Sequence, residues 1–179
     1  MSPLASMRAK TLAVSTDQKQ NRSTAPPMTQ PVIDEHGESF TLDSLRGRPL
    51  LINFWASWCA PCIAEMASLQ IAAEQLKLDG IDVMLISVDR GGVKKALPVL
   101  RASGVTTPRL GFDPKAALSR EMGVTGLPTS FLLSADQQRC AIYVGPHEWH
   151  EDHMQAEIQR FVAVTTGLSE AASSLSKQS

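Results

Sequence analysis

Two dense apolar runs stand out along the chain, Leu50 to Trp55 (LLINFW) and Ile81 to Asp89 (IDVMLISVD). Runs of this kind, without polar alternation, suit strands covered on both faces. Between them the period changes. Met66, Leu69, Ala73 and Leu76 recur at helical spacing and predict one amphipathic helix from about Ala60 to Leu78. Pro61 falls in its first turn, where a missing N–H costs little, and Gly80 follows its last turn as a stop signal. After Gly91-Gly92, Val93 to Ser103 reads as a helix bent or shortened by Pro98. Arg109 to Phe112 reads as a short strand and Pro114 to Met122 as a short helix. Thr129 to Leu133 and Arg139 to Val144 read as two antiparallel strands joined by a turn. A last helix, about Glu148 to Thr166, carries Met154, Ile158, Phe161 and Val162 on one face.

Upstream, His36-Gly37 marks a turn between short extended pieces, and a brief helical turn follows at Asp43 to Arg46. A βαβ start and a ββα finish imply an α/β fold. We expect a central mixed sheet flanked by helices, with a short N-terminal hairpin and one helical insertion, over residues 30–166. Residues 1–29 are rich in Ser, Thr, Gln and Lys, end near Ala25-Pro26-Pro27, and read as a disordered leader. Residues 167–179 read as a flexible tail.

The composition narrows the function. With 43% apolar residues in 179, one domain can bury a core without disulfide staples. A formal net charge of −1 gives no electrostatic reason to expect nucleic acid or an anionic membrane as the main partner. No apolar run approaches the ~18 residues of a membrane-spanning helix. Arg8 and Lys10 precede an apolar patch shorter than the ~7–15 residues of a signal-peptide core, so no signal segment is visible. Three cysteines, an odd number, argue against a structural disulfide framework and suggest a reactive pair plus a bystander.

That pair is Cys59-Ala60-Pro61-Cys62, placed where a buried strand turns into a helix. The first turn of a helix carries unpaired N–H groups and the positive end of its dipole, which stabilise a thiolate. We expect Cys59 at the edge, facing solvent, and Cys62 about one turn further in. Cys59 would attack a substrate disulfide, and Cys62 would then resolve the mixed disulfide. A C-x-x-C is also half of a zinc site. The missing ligands would have to come from Cys140 and the four histidines, none of which forms a second paired motif. The strand before the pair and the proline inside it favour redox chemistry. A second signal is Gly123 to Thr129, where Pro128 enters a strand 66 residues after Cys62.

The segments NFWASWCAPCIAEM and GLPTSFLL together resemble the TlpA/ResA-like branch of the thioredoxin superfamily, over roughly residues 31 to 165. The resemblance implies a thioredoxin-like fold, with Pro128 cis beside the cysteine pair. It implies that the backbone of Leu127 pairs with bound substrate as a short strand addition. Trp58 resembles the family tryptophan that shields the disulfide and contacts substrate, and Ala60 and Pro61 tune the potential. Family members are mostly extracytoplasmic bacterial reductases, often membrane-tethered, recharged by a membrane thiol electron donor. Their clients are protein disulfides or dithiols such as apocytochrome c thiols and copper-site cysteines, and they need no cofactor. We expect a monomer. Two positions depart from relatives. Asn53 stands where thioredoxins proper carry a buried Asp, as is usual in this branch. Ala60 stands where some cytochrome-maturation reductases carry Glu.

Other residues have two readings. Glu65 is most simply a solvated helix carboxylate; alternatively it assists proton removal from Cys62. Trp55 reads as a core anchor, and Cys140 as a small buried apolar residue. His147, His150 and His153 read as a solvated, acid-flanked helix start rather than a metal site. Besides the reductase, a Cu(I)-binding module could use the same thiolates. A thiol peroxidase is disfavoured because both cysteines fall in one tight motif.

Overall fold

The computed structural model describes residues 19–22 and 24–176, with side chains described for residues 24–167. Among these residues one eight-stranded mixed sheet forms the centre, in the order β1-β8-β7-β4-β5-β6-β2-β3. The strands are β1 (Lys19–Arg22), β2 (Val32–Ile33), β3 (Ser39–Phe40), β4 (Leu50–Trp55), β5 (Asp82–Ser87), β6 (Arg109–Phe112), β7 (Thr129–Leu133) and β8 (Cys140–Val144). The helices are α1 (Ala60–Ala64), α2 (Met66–Leu78), α3 (Val93–Ala102), α4 (Ala117–Glu121) and α5 (Asp152–Ser176). The two dense apolar runs become the central parallel pair β4 and β5. Every residue of β4 is buried, as its lack of alternation predicts.

The crossovers explain which helices share a face. The steps β4-α2-β5 and β5-α3-β6 advance in one direction across the sheet, so right-handed connections put α2 and α3 on the same side. The chain then returns across the sheet to β7, and α4 lies on the other side. Two cores result. One joins Leu51, Trp55, Leu85 and Tyr143 of the sheet to α1, α2, α3 and α5. The other joins Leu50, Ile52, Phe54, Met84 and Phe131 to α4 and to Leu42 of a 3-10 turn. The hairpin β2-β3 turns at Gly37, whose φ of 87° suits glycine, and Ile33 pairs with Phe112 to extend the far edge.

Four expectations need correction. Residues 19–22, read as part of the disordered leader, form β1 and pair antiparallel with β8 from Lys19↔Tyr143 to Arg22↔Cys140. The rest of that leader up to residue 18 lies outside the described residues. The helix expected from Ala60 to Leu78 is broken at Glu65, which ends α1 and starts α2. The last helix begins at Asp152 rather than Glu148, because the preceding residues are drawn into hydrogen bonds with α2 and its start. It continues to Ser176, through most of the expected tail. α3 runs through Pro98 to Ala102.

Candidate active site

β4 delivers the chain to the site, and the side chains of Asn53 and Trp55 share the face under α1 and α2. Ala56 to Trp58 turn the chain, and Cys59 then caps α1 with extended backbone (φ −94°, ψ 97°). Its carbonyl accepts the first helical bond from the Ile63 N–H at 3.1 Å. Pro61 sits in the first turn, as its missing N–H favours. Cys59 and Cys62 are joined by a disulfide, with sulfurs 2.12 Å apart.

The expectation that Cys59 faces solvent is corrected in this oxidised form. Cys59 is only 6% exposed and Cys62 is fully buried. Both cysteines belong to the core that contains Trp55 and Ala56. The order of access, Cys59 outside Cys62, is as expected. Beside them Trp58 is 73% exposed, and Ala60 and Pro61 are exposed. Trp55 is a buried core anchor.

A buried carboxylate holds the loop in front of Cys59. Asp89, just past β5, accepts hydrogen bonds from the Ser57 N–H (2.8 Å), the Ser57 hydroxyl (2.7 Å) and the Ser87 hydroxyl (2.8 Å). Nothing in its sequence context singled it out except its place at the end of a buried run. Asp89→Asn puts an N–H₂ group among these donors and removes the charge. We expect it to lower the stability of the oxidised protein by about 1–3 kcal/mol, read as a lower urea midpoint.

The largest departure from the sequence reading is Glu65. It is 2% exposed, not a solvated helix residue. Its Oε1 accepts from Asn53 Nδ2 at 2.7 Å. Its Oε2 accepts from the backbone N–H of His147 at 3.0 Å and from Trp149 Nε1 at 3.2 Å. Burial pushes its carboxyl up to about 7, against the pull of these three donors, and the nearby charge of Glu148 adds to the rise. The sequence held a signal for this. Glu65 lies in the same register as Cys62, Met66 and Leu69, the buried stripe of the helix.

Beneath Glu65, Asn53 and Ser130 are direct cross-strand neighbours on β4 and β7, and Tyr143 of β8 is next in the row. Asn53 Nδ2 also donates to Ser130 Oγ at 2.9 Å. Asn53 Oδ1 is buried and has no hydrogen-bond partner among the described residues. Tyr143, His147 and Trp149 stack edge-to-face with ring centroids 5.3–5.7 Å apart. The donors His147 and Trp149 lie 82 and 84 residues from Glu65, beyond the reach of local pattern.

The Leu127-Pro128 peptide is cis and Pro128 is buried. Leu127 packs against the core that contains both cysteines. The Gly145 N–H donates to the Pro128 carbonyl at 2.9 Å, which joins this turn to the segment reaching Glu65.

The remaining candidates do not join the site as a cluster. Cys140 is buried in β8. The ring Nδ1 of His150 lies 3.0 Å from Ser68 Oγ, and that of His153 lies 3.3 Å from Glu151. Among the described residues no three His, Cys, Asp or Glu side chains are grouped to hold a metal ion. No described helix is long and apolar enough to cross a membrane.

The chain is similar to known proteins. The thiol:disulfide interchange protein HelX of Rhodobacter capsulatus is 36% identical over 108 residues, covering 60% of this chain and 58% of HelX. The thiol:disulfide interchange protein DsbE of Escherichia coli is 31% identical over 125 residues, covering 67% of this chain and 64% of DsbE. The chain thus spans about three-fifths of the length of these curated relatives. Among solved structures, the thioredoxin domain of a thiol-disulfide oxidoreductase from Bacteroides vulgatus superposes with a TM-score of 0.67 at 17% identity, over 80% of this chain and 99% of that one. The fold is thioredoxin-like. The sequence model of the Redoxin family matches residues 20–158, and the chain belongs to the Redoxin family.

Proposed function

We propose that this protein is a thiol–disulfide oxidoreductase that reduces disulfides in other proteins. The observation that carries the reading is a Cys59–Cys62 disulfide at the start of a helix, one turn before a buried carboxylate balanced near neutrality. In the reduced protein the Cys59 thiolate attacks a substrate disulfide. A mixed disulfide forms and the first substrate thiolate leaves. Cys62 passes its proton to Glu65 and attacks the Cys59 sulfur. The intramolecular disulfide closes and the second substrate thiolate leaves. Two electrons move from the cysteine pair to the substrate, whose thiolates take up two protons.

The other residues take supporting roles in this reading. Exposed Trp58, Ala60 and Pro61 form the landing surface next to Cys59. Leu127, held by cis-Pro128, offers its backbone to an extended substrate segment. On the family resemblance, the protein works outside the cytoplasm, tethered to the membrane, and a membrane thiol donor returns it to the reduced form. Clients are then envelope proteins with oxidised cysteines, including apocytochrome c thiols and copper-site cysteines.

Equilibration with glutathione or dithiothreitol buffers tests the direction. A reductase should have a potential near the roughly −270 mV of thioredoxin, and a value near −120 mV would make the protein an oxidant instead.

A further inference from the structure

We propose that Asn53 is a proton-responsive positioning residue, whose side-chain amide turns over when Glu65 gains or loses a proton. The inference deepens the proposed function, because it rests on Glu65 carrying a proton during exchange.

The argument begins with what surrounds Glu65. From β4 comes the Asn53 amide, from β7 the Ser130 hydroxyl behind it, and from the segment after β8 the His147 N–H, the Trp149 indole N–H and the charge of Glu148. Tyr143 of β8 reaches the same pocket by stacking on His147 and Trp149. Cys62, in the preceding turn of α1, is disulfide-bonded and does not titrate in this form. All three groups bonded to the carboxylate are donors. A backbone N–H and an indole N–H can never accept. The arrangement therefore fits the ionised carboxylate and offers the acid form no acceptor for its O–H.

One partner carries an acceptor that a single bond rotation brings into place. Asn53 Oδ1 is buried and unpartnered among the described residues, while Nδ2 spends both hydrogens, one on Glu65 and one on Ser130. A half-turn about the Cβ–Cγ bond exchanges the two atoms. Oδ1 then stands where Nδ2 was, and accepts from the protonated Glu65 and from the Ser130 hydroxyl. That hydroxyl suits both states because it can accept or donate. Each orientation of the amide meets the donor or acceptor need of one charge state of Glu65, and in the turned form Nδ2 takes the unpartnered place that Oδ1 held, which sets the cost of the turn. The buried proton is never stranded, although a fixed donor would penalise it. An Asp at this position would instead set two carboxylates side by side, and repulsion would keep one of them protonated.

The test is an NMR titration of the oxidised, isotope-labelled protein between about pH 5 and 9. Above the Glu65 midpoint, the Asn53 side-chain NH₂ protons should show cross-relaxation to the Ser130 β-protons. Below it these signals should vanish, with the same midpoint as the Glu65 carboxyl carbon. Glu65→Gln imitates the acid form and should show the low-pH pattern at every pH. Cross-relaxation to Ser130 that persists unchanged through the Glu65 titration overturns the proposal. So does a high-pH pattern in Glu65→Gln. Asn53→Leu gives an independent reading. If the amide serves both states, losing it leaves the Glu65 midpoint within about half a unit; a fixed donor would let the midpoint rise by about one unit or more. None of these measurements needs turnover. A protein whose amide turns over but which reduces no disulfide would sink the functional reading and leave this one standing.

Discussion

Cys59→Ser is expected to bring dithiol-driven insulin-disulfide reduction down to the uncatalysed rate. The loss should be on the order of 10⁴-fold or more, the scale set by removing a covalent nucleophile. Serine keeps the shape of the helix start but supplies no thiolate for the field of the first turn to stabilise. Cys62→Ser should fail differently. Cys59 can still attack, so the first step survives, but nothing resolves the product. The protein should accumulate as a mixed disulfide with its substrate, visible as a covalent adduct on a non-reducing gel. Normal turnover by Cys59→Ser, or the same adduct in both variants, would remove Cys59 from the role of attacking sulfur.

Glu65→Gln should alter both kinetics and stability. Without a buried acceptor for the Cys62 proton, resolution of the mixed disulfide should slow by ~10²-fold, the lower end of general-base contributions. A quenched-flow time course would show the adduct persisting. The stability effect follows from the raised carboxyl, about 7 when folded against 4.5 for an ordinary glutamic acid. Below pH 4.5 both folded and unfolded chains hold the proton, so Glu65 adds no pH dependence. Between 4.5 and 7 the folded chain keeps a proton that the unfolded chain has released, and its contribution to stability falls as pH rises. Above 7 both are ionised and the penalty is complete, on the order of 3 kcal/mol at 1.36 kcal/mol per unit. Urea unfolding of the oxidised protein should therefore show Glu65→Gln matching the parent near pH 4.5 and exceeding it near pH 8. A stability difference between the two that does not change over this range would contradict a buried, near-neutral Glu65.

The parts of the fold that could be read in the sequence are those whose pattern is set by burial. β4 and β7 begin and end where their residue patterns do, because runs covered on both faces leave no ambiguity of period. The cysteine pair was recognisable from its position between strand and helix, and cis-Pro128 from the family resemblance. β1 was not legible, since Lys19–Arg22 has no apolar pattern and its order comes from backbone pairing with β8. The burial of Glu65 runs against its simplest sequence reading, because carboxylates are usually exposed. Cys62, Ser68 and Leu69, three and four positions away, are buried, and this register outweighs the default. Asn53 carried a similar warning, a polar residue inside an otherwise apolar strand. The donors from His147 and Trp149 could not be inferred, because only the return of the chain after β8 brings them to α1.

The break at Glu65 also leaves α1 as a helix of only five residues, clasped across its first turn by the disulfide. A segment this short has no independent helical stability in water. In the proposed cycle, opening the disulfide would leave this turn to its backbone hydrogen bonds, such as Ile63 N–H to the Cys59 carbonyl, and to side-chain packing. On the proposed function, the reduced protein would hold this turn less firmly than the oxidised one, so a partner would meet a stiffer surface at Ala60 and Pro61 in the oxidised form.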